Sequence, residues 1–220
     1  MKNKSKNKTP EICPTVTAYD LHEYRTQLEQ IQEFAGRIHI DLMDGIFAPT
    51  KSPDLNKLWL PKGITCDVHI MFQHPANVVA ELLRLKPAMV VAQAEADHDS
   101  VLKLQESLSG SAIRFGVSLL ASSRPNDPKY IDLVRSARHV LVFSGHLGYH
   151  GGQADLGLLE KVKLIKEINP RAEIGWDGGI NIENILALSE GGVDVLNVGG
   201  SIQKSADPKL SYEKLVRALA

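Results

Sequence analysis

His39-Ile40-Asp41-Leu42-Met43-Asp44-Gly45 is the stretch on which the reading of the fold turns. Residues 37–41 read as a buried β-strand that ends in a cluster of polar side chains. His39 and Asp41 are two apart, so on a strand they project to the same face. A histidine and an aspartate side by side in apolar surroundings are costly unless something pairs with them. Two pairings serve: a His–Asp hydrogen bond that fixes the strand end, or a metal ion, for which neutral imidazole and carboxylate are usual ligands. Asp67-Val68-His69-Ile70-Met71 and Trp176-Asp177-Gly178-Gly179 repeat the theme at the ends of other strands.

Working outward, short apolar runs alternate with amphipathic stretches from Glu11 onward, the pattern of successive β–α units on a parallel sheet. Strands are expected over 11–16, 37–41, 65–71, 88–92, 113–119, 139–143, 172–177 and 195–198. Helices are expected over 20–34, with Asp20 as N-cap, then 75–86, 98–108, 154–168 and 182–189. A short helix follows the irregular loop at 46–53, another follows Asn126-Asp127-Pro128, and the last opens near Asp207-Pro208. Eight units of roughly 27 residues match the economy of a compact α/β barrel. The strands are continuously apolar rather than alternating, as in a sheet covered by helices. A doubly wound sheet is disfavoured, because no Gly-x-Gly-x-x-Gly follows the first strand. The expectation is a single (β/α)8 TIM barrel over residues 11–220, preceded by a disordered, lysine-rich tail over 1–10.

The 220 residues carry 25 basic and 26 acidic side chains, a formal net charge of −1, which gives no reason to expect nucleic acid or an anionic membrane as partner. No apolar run approaches the roughly 18 residues that span a bilayer. The opening Met1–Thr9 lacks an apolar segment and does not read as a secretory signal. Cys13 and Cys66 read as reduced core cysteines of a cytoplasmic protein.

In such a barrel the polar residues at strand C-terminal ends form the active site. Here those ends offer Thr15 and Thr17, His39 and Asp41, His69, Gln93 and Glu95, Ser144, Asp177 and the Gly199-Gly200-Ser201 turn. Two histidines and two aspartates from three strands would make an N2O2 set suited to a divalent cation. A cation between two carboxylates can also polarise a carbonyl and stabilise an enediolate. Gly151-Gly152, Gly178-Gly179 and Gly199-Gly200-Ser201 follow the sixth, seventh and eighth strands. Glycines there let backbone N–H groups approach a ligand, and such loops are a frequent phosphate site.

Taken together, His39-x-Asp41-x-Met43-Asp44-Gly45, Asp67-Val68-His69-x-Met71, Gly151-Gly152-Gln153, Asp177-Gly178-Gly179 and Gly199-Gly200-Ser201 resemble the ribulose-phosphate 3-epimerase family over about residues 12–208. The resemblance implies His39, Asp41, His69 and Asp177 as ligands of one divalent metal ion (zinc, iron, manganese or cobalt). It implies Asp41 and Asp177 as acid/base groups on opposite faces of the substrate. Thr15 and the glycine turns with Ser201 would contact substrate or phosphate, and Met43 and Met71 match methionines that cap the enediolate region, although core packing explains them as well. The activity implied is C3 epimerisation of a ketose phosphate, most simply D-ribulose 5-phosphate to D-xylulose 5-phosphate, in the pentose phosphate pathway. The implied protein is a cytoplasmic homo-oligomer with a sugar phosphate as its partner.

Departures from the family pattern concern the sugar and phosphate contacts. Pro14-Thr15-Val16-Thr17-Ala18 stands for Pro-Ser-x-Leu-Ser, Gln93 stands where a histidine is usual, and Leu119-Leu120-Ala121 replaces Leu-Asn-Pro. The loop Leu147-Gly148-Tyr149-His150-Gly151-Gly152 carries one extra residue at His150. An allulose 6-phosphate epimerase would use the same parts. Related decarboxylase or aldolase barrels predict Asp-x-Lys-x-x-Asp, and Asp41-Leu42-Met43-Asp44 lacks the lysine. A non-catalytic binding barrel would have no need of two buried carboxylates.

Overall fold

The structure is a computed structural model and describes residues 9–220. Residues 1–8, most of the expected tail, lie outside the described residues, and Pro10 is already buried. Eight parallel strands close in sequence order: β1 (Glu11–Thr17), β2 (Arg37–Met43), β3 (Thr65–Met71), β4 (Met89–Gln93), β5 (Arg114–Leu120), β6 (His139–Phe143), β7 (Glu173–Asp177) and β8 (Val195–Val198), with β8 returning to β1. This is the (β/α)8 barrel expected from the sequence.

The helices are α1 (Leu21–Ile31), α2 (Val79–Leu85), α3 (His98–Leu108), α4 (Ile131–Ser136), α5 (Leu159–Ile168), α6 (Ile185–Glu190), α7 (Gly200–Gln203) and α8 (Pro208–Ala218). Asp20 caps α1 as expected, its carboxylate accepting from Glu23 N at 2.8 Å. Asp207 does the same for α8 by accepting from Leu210 N. Three expectations are corrected in detail. The helix expected from Pro75 begins as a 3-10 turn, Pro75–Val78, before α2. The helix after β2 is only the 3-10 turn Leu55–Lys57. Strand β2 runs two residues further than expected, because Met43 pairs in register with Met71 and the loop folds back to bond it: Ser52 Oγ accepts from Met43 N at 3.1 Å.

Strand period two splits β2 between two environments. Ile38, Ile40 and Leu42 face outward and pack with Tyr24, Leu28 and Ile31 of α1 in the main core between barrel and helices. Arg37, His39, Asp41 and Met43 alternate with them and face the barrel interior. That is why the whole strand is buried yet carries three ionisable residues. Inside the barrel, Met89, Val91 and Leu141 form an apolar layer. On its N-terminal side lies an ionic cluster around Arg37, and on its C-terminal side the His39 cluster. Among the described residues no helix is long and apolar enough to cross a membrane.

Candidate active site

Parallel register brings the polar strand ends level: Thr17 lies beside Asp41, Asp41 beside His69, and Asp177 beside Asn197. His39 Nε2 lies 3.3 Å from Asp41 Oδ1 and 3.5 Å from Asp177 Oδ2. His69 Nδ1 lies 3.0 Å from Asp41 Oδ1. The four residues are buried, and one ligand atom from each falls within 4.8 Å of all the others. The sequence expectation of a His–Asp cluster drawn from three strands is therefore met in space.

This donor set fits a divalent cation. His39 Nε2 and Asp177 Oδ2 are buried, face each other and make no hydrogen bond. Ligands about 2.1 Å from a tetrahedral ion lie roughly 3.4 Å apart, in line with the spacings found here. The charges agree as well. Burial, then the negative charge of Asp41, pushes the Asp177 carboxyl up to about 7. Burial also opposes ionisation of Asp41, but the adjacent imidazoles of His39 and His69 outweigh it and hold that carboxyl well below the usual range. Burial disfavours the cationic form of both rings. For His39 the neighbouring Asp41 carboxylate prevails and its pKa rises, whereas for His69 burial prevails and its pKa falls.

The cluster floors a cavity of about 340 Å³ at the C-terminal end of the barrel. Of the residues expected to form the site, Thr15, Asp41, Met71 and Asp177 line it. So do Gly151, Gly152, Gly178, Gly179, Gly199, Gly200 and Ser201. His39 and His69 lie beneath, 1% and 0% exposed. Met43 does not line it. Its side chain packs with Ala48 and Met71 against Phe47 and Leu147, beside the cavity. Glu95 and Ser144, also noted at strand ends, are drawn elsewhere: Glu95 accepts from Leu120 N, and Ser144 Oγ accepts from Asp155 N, both at 2.9 Å.

The glycines at 178 and 179 have a tighter reason than ligand approach. Both have positive φ, and a Cβ on either would meet the backbone of the loop after β6, at Gly145 and at Gln153–Ala154 respectively. Thr17, which the sequence offers as a strand-end hydroxyl, donates from Oγ1 to Asp41 Oδ2 at 2.8 Å. Sequence reasoning missed several other residues. Asn197 lies 3.2 Å from His39 Nδ1, and Lys204, His146 and Tyr149 line the cavity. Asn197 carried a usable signal, being the one polar residue in Val195-Leu196-Asn197-Val198.

A profile of the Ribulose-phosphate 3 epimerase family matches residues 11–203. The ribulose-phosphate 3-epimerase of Helicobacter pylori (strain ATCC 700392 / 26695) is 34% identical over 216 residues, 93% of this chain and 96% of its own. A relative from Oryza sativa subsp. japonica, named as the cytoplasmic isoform, is 25% identical over 207 residues, 90% of this chain and 89% of its own. Among solved structures, a 3-hexulose-6-phosphate synthase superposes with a TM-score of 0.70 at 15% identity, covering 96% of this chain and all 100% of that one. The 3-keto-L-gulonate-6-phosphate decarboxylase of Vibrio cholerae does so with a TM-score of 0.70 at 9% identity, covering 96% and 98%. Those two likenesses are of fold alone. Matched along nearly its whole length, and with its two histidines and two aspartates gathered at the barrel mouth, the chain belongs to the ribulose-phosphate 3-epimerase family, whose named members are isomerases.

Proposed function

We propose that this protein is a metal-dependent epimerase that inverts C3 of a ketose phosphate, with D-ribulose 5-phosphate and D-xylulose 5-phosphate as its substrate pair. The observation that carries the reading is the pair Asp41 and Asp177. They come from strands three apart around the barrel and both approach His39 Nε2 from the floor of one cavity. A C3 epimerase needs that arrangement, because a proton must leave one face of a carbon and return to the other.

Each carboxylate has one oxygen committed to the histidine pair and one left for proton transfer. Asp41 Oδ1 faces His39 and His69, and its Oδ2 is held by the Thr17 hydroxyl. Asp177 turns Oδ2 toward His39, leaving Oδ1. One carboxylate takes the C3 proton, a cis-enediolate results, and the other returns a proton to the opposite face. A divalent cation held by His39, Asp41, His69 and Asp177, with zinc, iron, manganese and cobalt as the candidates, would supply Lewis-acid polarisation of the ketone and balance the enediolate's charge. Met71 and Phe143 give the cavity apolar walls that exclude water from the reacting carbon. Lys204, with the turns at Gly178-Gly179 and Gly199-Gly200-Ser201, offers the phosphate a cation and backbone donors. A cytoplasmic location and a homo-oligomeric assembly belong to the same reading.

The test is incubation of the purified protein with D-ribulose 5-phosphate and, separately, allulose 6-phosphate, after chelation and after adding back each metal. Metal-dependent conversion of the pentose phosphate is expected. Full activity in metal-free protein would overturn the mechanism, and turnover of the hexose phosphate alone would overturn the substrate.

A further inference from the structure

Each imidazole of the cluster has a primary amide against its outer nitrogen, and neither amide is needed for the reading above. On β8, Asn197 is 2% exposed, and its amide lies 3.2 Å from His39 Nδ1. On β4, Gln93 is 0% exposed, and its amide lies 3.1 Å from His69 Nε2. An amide presents an acceptor on one side and donors on the other, so its orientation dictates which ring nitrogen carries the proton.

For Gln93 the surroundings decide. With Oε1 toward His69, the amide nitrogen donates to Glu95 Oε2 at 3.1 Å and to Ser118 O and Oγ at 3.3 Å. The reverse orientation sets the amide oxygen against the acceptors Ser118 O and Glu95 Oε2. His69 then carries its proton on Nε2, and its Nδ1 lone pair faces Asp41 Oδ1 at 3.0 Å. Two lone pairs at that distance repel unless a cation lies between them. On the other side, Asn197 Oδ1 is buried and has no partner when Nδ2 faces the ring. A half-turn of the amide lets Oδ1 accept from His39 Nδ1–H, and the Nε2 lone pair then points at Asp41 and Asp177.

We propose that Gln93 and Asn197 are positioning residues that fix the tautomers of His69 and His39, so that Nδ1 of the first and Nε2 of the second are left free to bind a divalent cation. The inference rests on the metal-site reading and adds two residues to it. It also gives a role to Gln93, which departs from the family's usual histidine.

The variants Gln93→Met and Asn197→Leu remove the acceptor with little change in volume. Asn197→Asp keeps it, since a carboxylate can only accept. Zinc affinity, read by competition with a chromophoric chelator, is expected to fall about 10- to 100-fold in the Met and Leu variants. It should be retained in Asn197→Asp, with metal-free melting temperatures close to wild type. Long-range proton–nitrogen NMR of histidine-labelled, zinc-loaded wild type should place the proton on Nδ1 of His39 and Nε2 of His69. That spectrum decides the matter even if a variant fails to fold. Wild type that binds zinc but shows the opposite tautomers, or Met and Leu variants that bind as tightly as wild type, would overturn the inference and leave the metal site standing. Wild type that binds neither zinc, cobalt nor manganese would overturn both.

Discussion

Replacing Arg37 by methionine removes the one guanidinium buried inside the barrel at its N-terminal end. Arg37 is 4% exposed, donates from Nε to Asp67 Oδ2 at 2.7 Å, and makes a two-pronged pair with Glu173 at 3.0 and 2.9 Å. Glu173 keeps a second partner, His139 Nδ1 at 2.9 Å, whereas Asp67 is 1% exposed and among the described residues retains only Arg114, 4.0 Å from its Oδ1. The cost is therefore set by Asp67, a fully buried carboxylate stripped of its cation, and is about 3–5 kcal/mol. For a chain of this size that lowers Tm by roughly 6–20 °C. Acid should narrow the gap. Burial resists ionisation of Glu173, but hydrogen bonds from His139 and Arg37 outweigh it and hold its carboxyl well below the usual range. A depressed carboxylate contributes stability above its unfolded pKa of about 4.3, and that contribution is lost as pH falls through the folded value. Wild type should thus lose more stability than Arg37→Met between neutral pH and pH values below about 4. Thermal melts followed by circular dichroism at several pH values read both effects. A Tm within error of wild type at neutral pH, or a gap that widens in acid, would refute the reasoning.

Asp177→Asn, if metal-replete, should still exchange the C3 proton of one epimer with deuterated water while net epimerisation collapses. Asp41→Asn should do the same for the other epimer, and NMR of the recovered sugars checks both. Lys204→Met removes a charge-assisted contact of about 1.5–3 kcal/mol, so KM for the phosphorylated sugar should rise roughly ten- to a hundredfold with metal content unchanged, as steady-state kinetics would show. Zinc at about 100 times its Kd should stabilise the protein by about 2.7 kcal/mol, and a chelator should reverse the shift in a thermal melt.

The barrel was legible because its strands are short, fully buried apolar runs set apart by turn residues. Strands 65–71, 139–143 and 195–198 fall where the sequence places them. Helix starts were less so. Pro75 does open a helical segment, but its first four residues wind as 3-10, which the pattern of apolar spacing does not distinguish. The four-residue α7 begins at Gly200 and is too short to show any period. In the site, the inward face of β2 gave itself away because His39 and Asp41 interrupt an apolar run at spacing two. Asn197 broke the run of β8 by the same logic. Lys204 had no local signal, since its place at the cavity follows from where α7 ends. Gln93 was visible as a polar strand end, but its proposed role depends on His69 of β3 and Ser118 of β5 as well as on Glu95 two residues away.

The two ends of the barrel interior treat buried carboxylates in opposite ways, and the contrast bears on the reading of the site. At the N-terminal end, Asp67 and Glu173 are matched by a guanidinium from the chain itself. Four residues further along β2 and β7, past the layer of Met89, Val91 and Leu141, Asp41 and Asp177 are both buried. Among the described residues their only ion-pair partners are histidines, one of which burial drives toward its neutral form. A second arginine at this level would neutralise the carboxylates permanently and would fill part of the cavity above them. On the reading proposed above, a small exogenous cation would balance the same charge, leave the cavity open, and supply an electrophile beside the carbonyl. On that reading the carboxylates at the mouth serve chemistry, while those at the base, matched by Arg37 of the chain itself, hold the barrel closed.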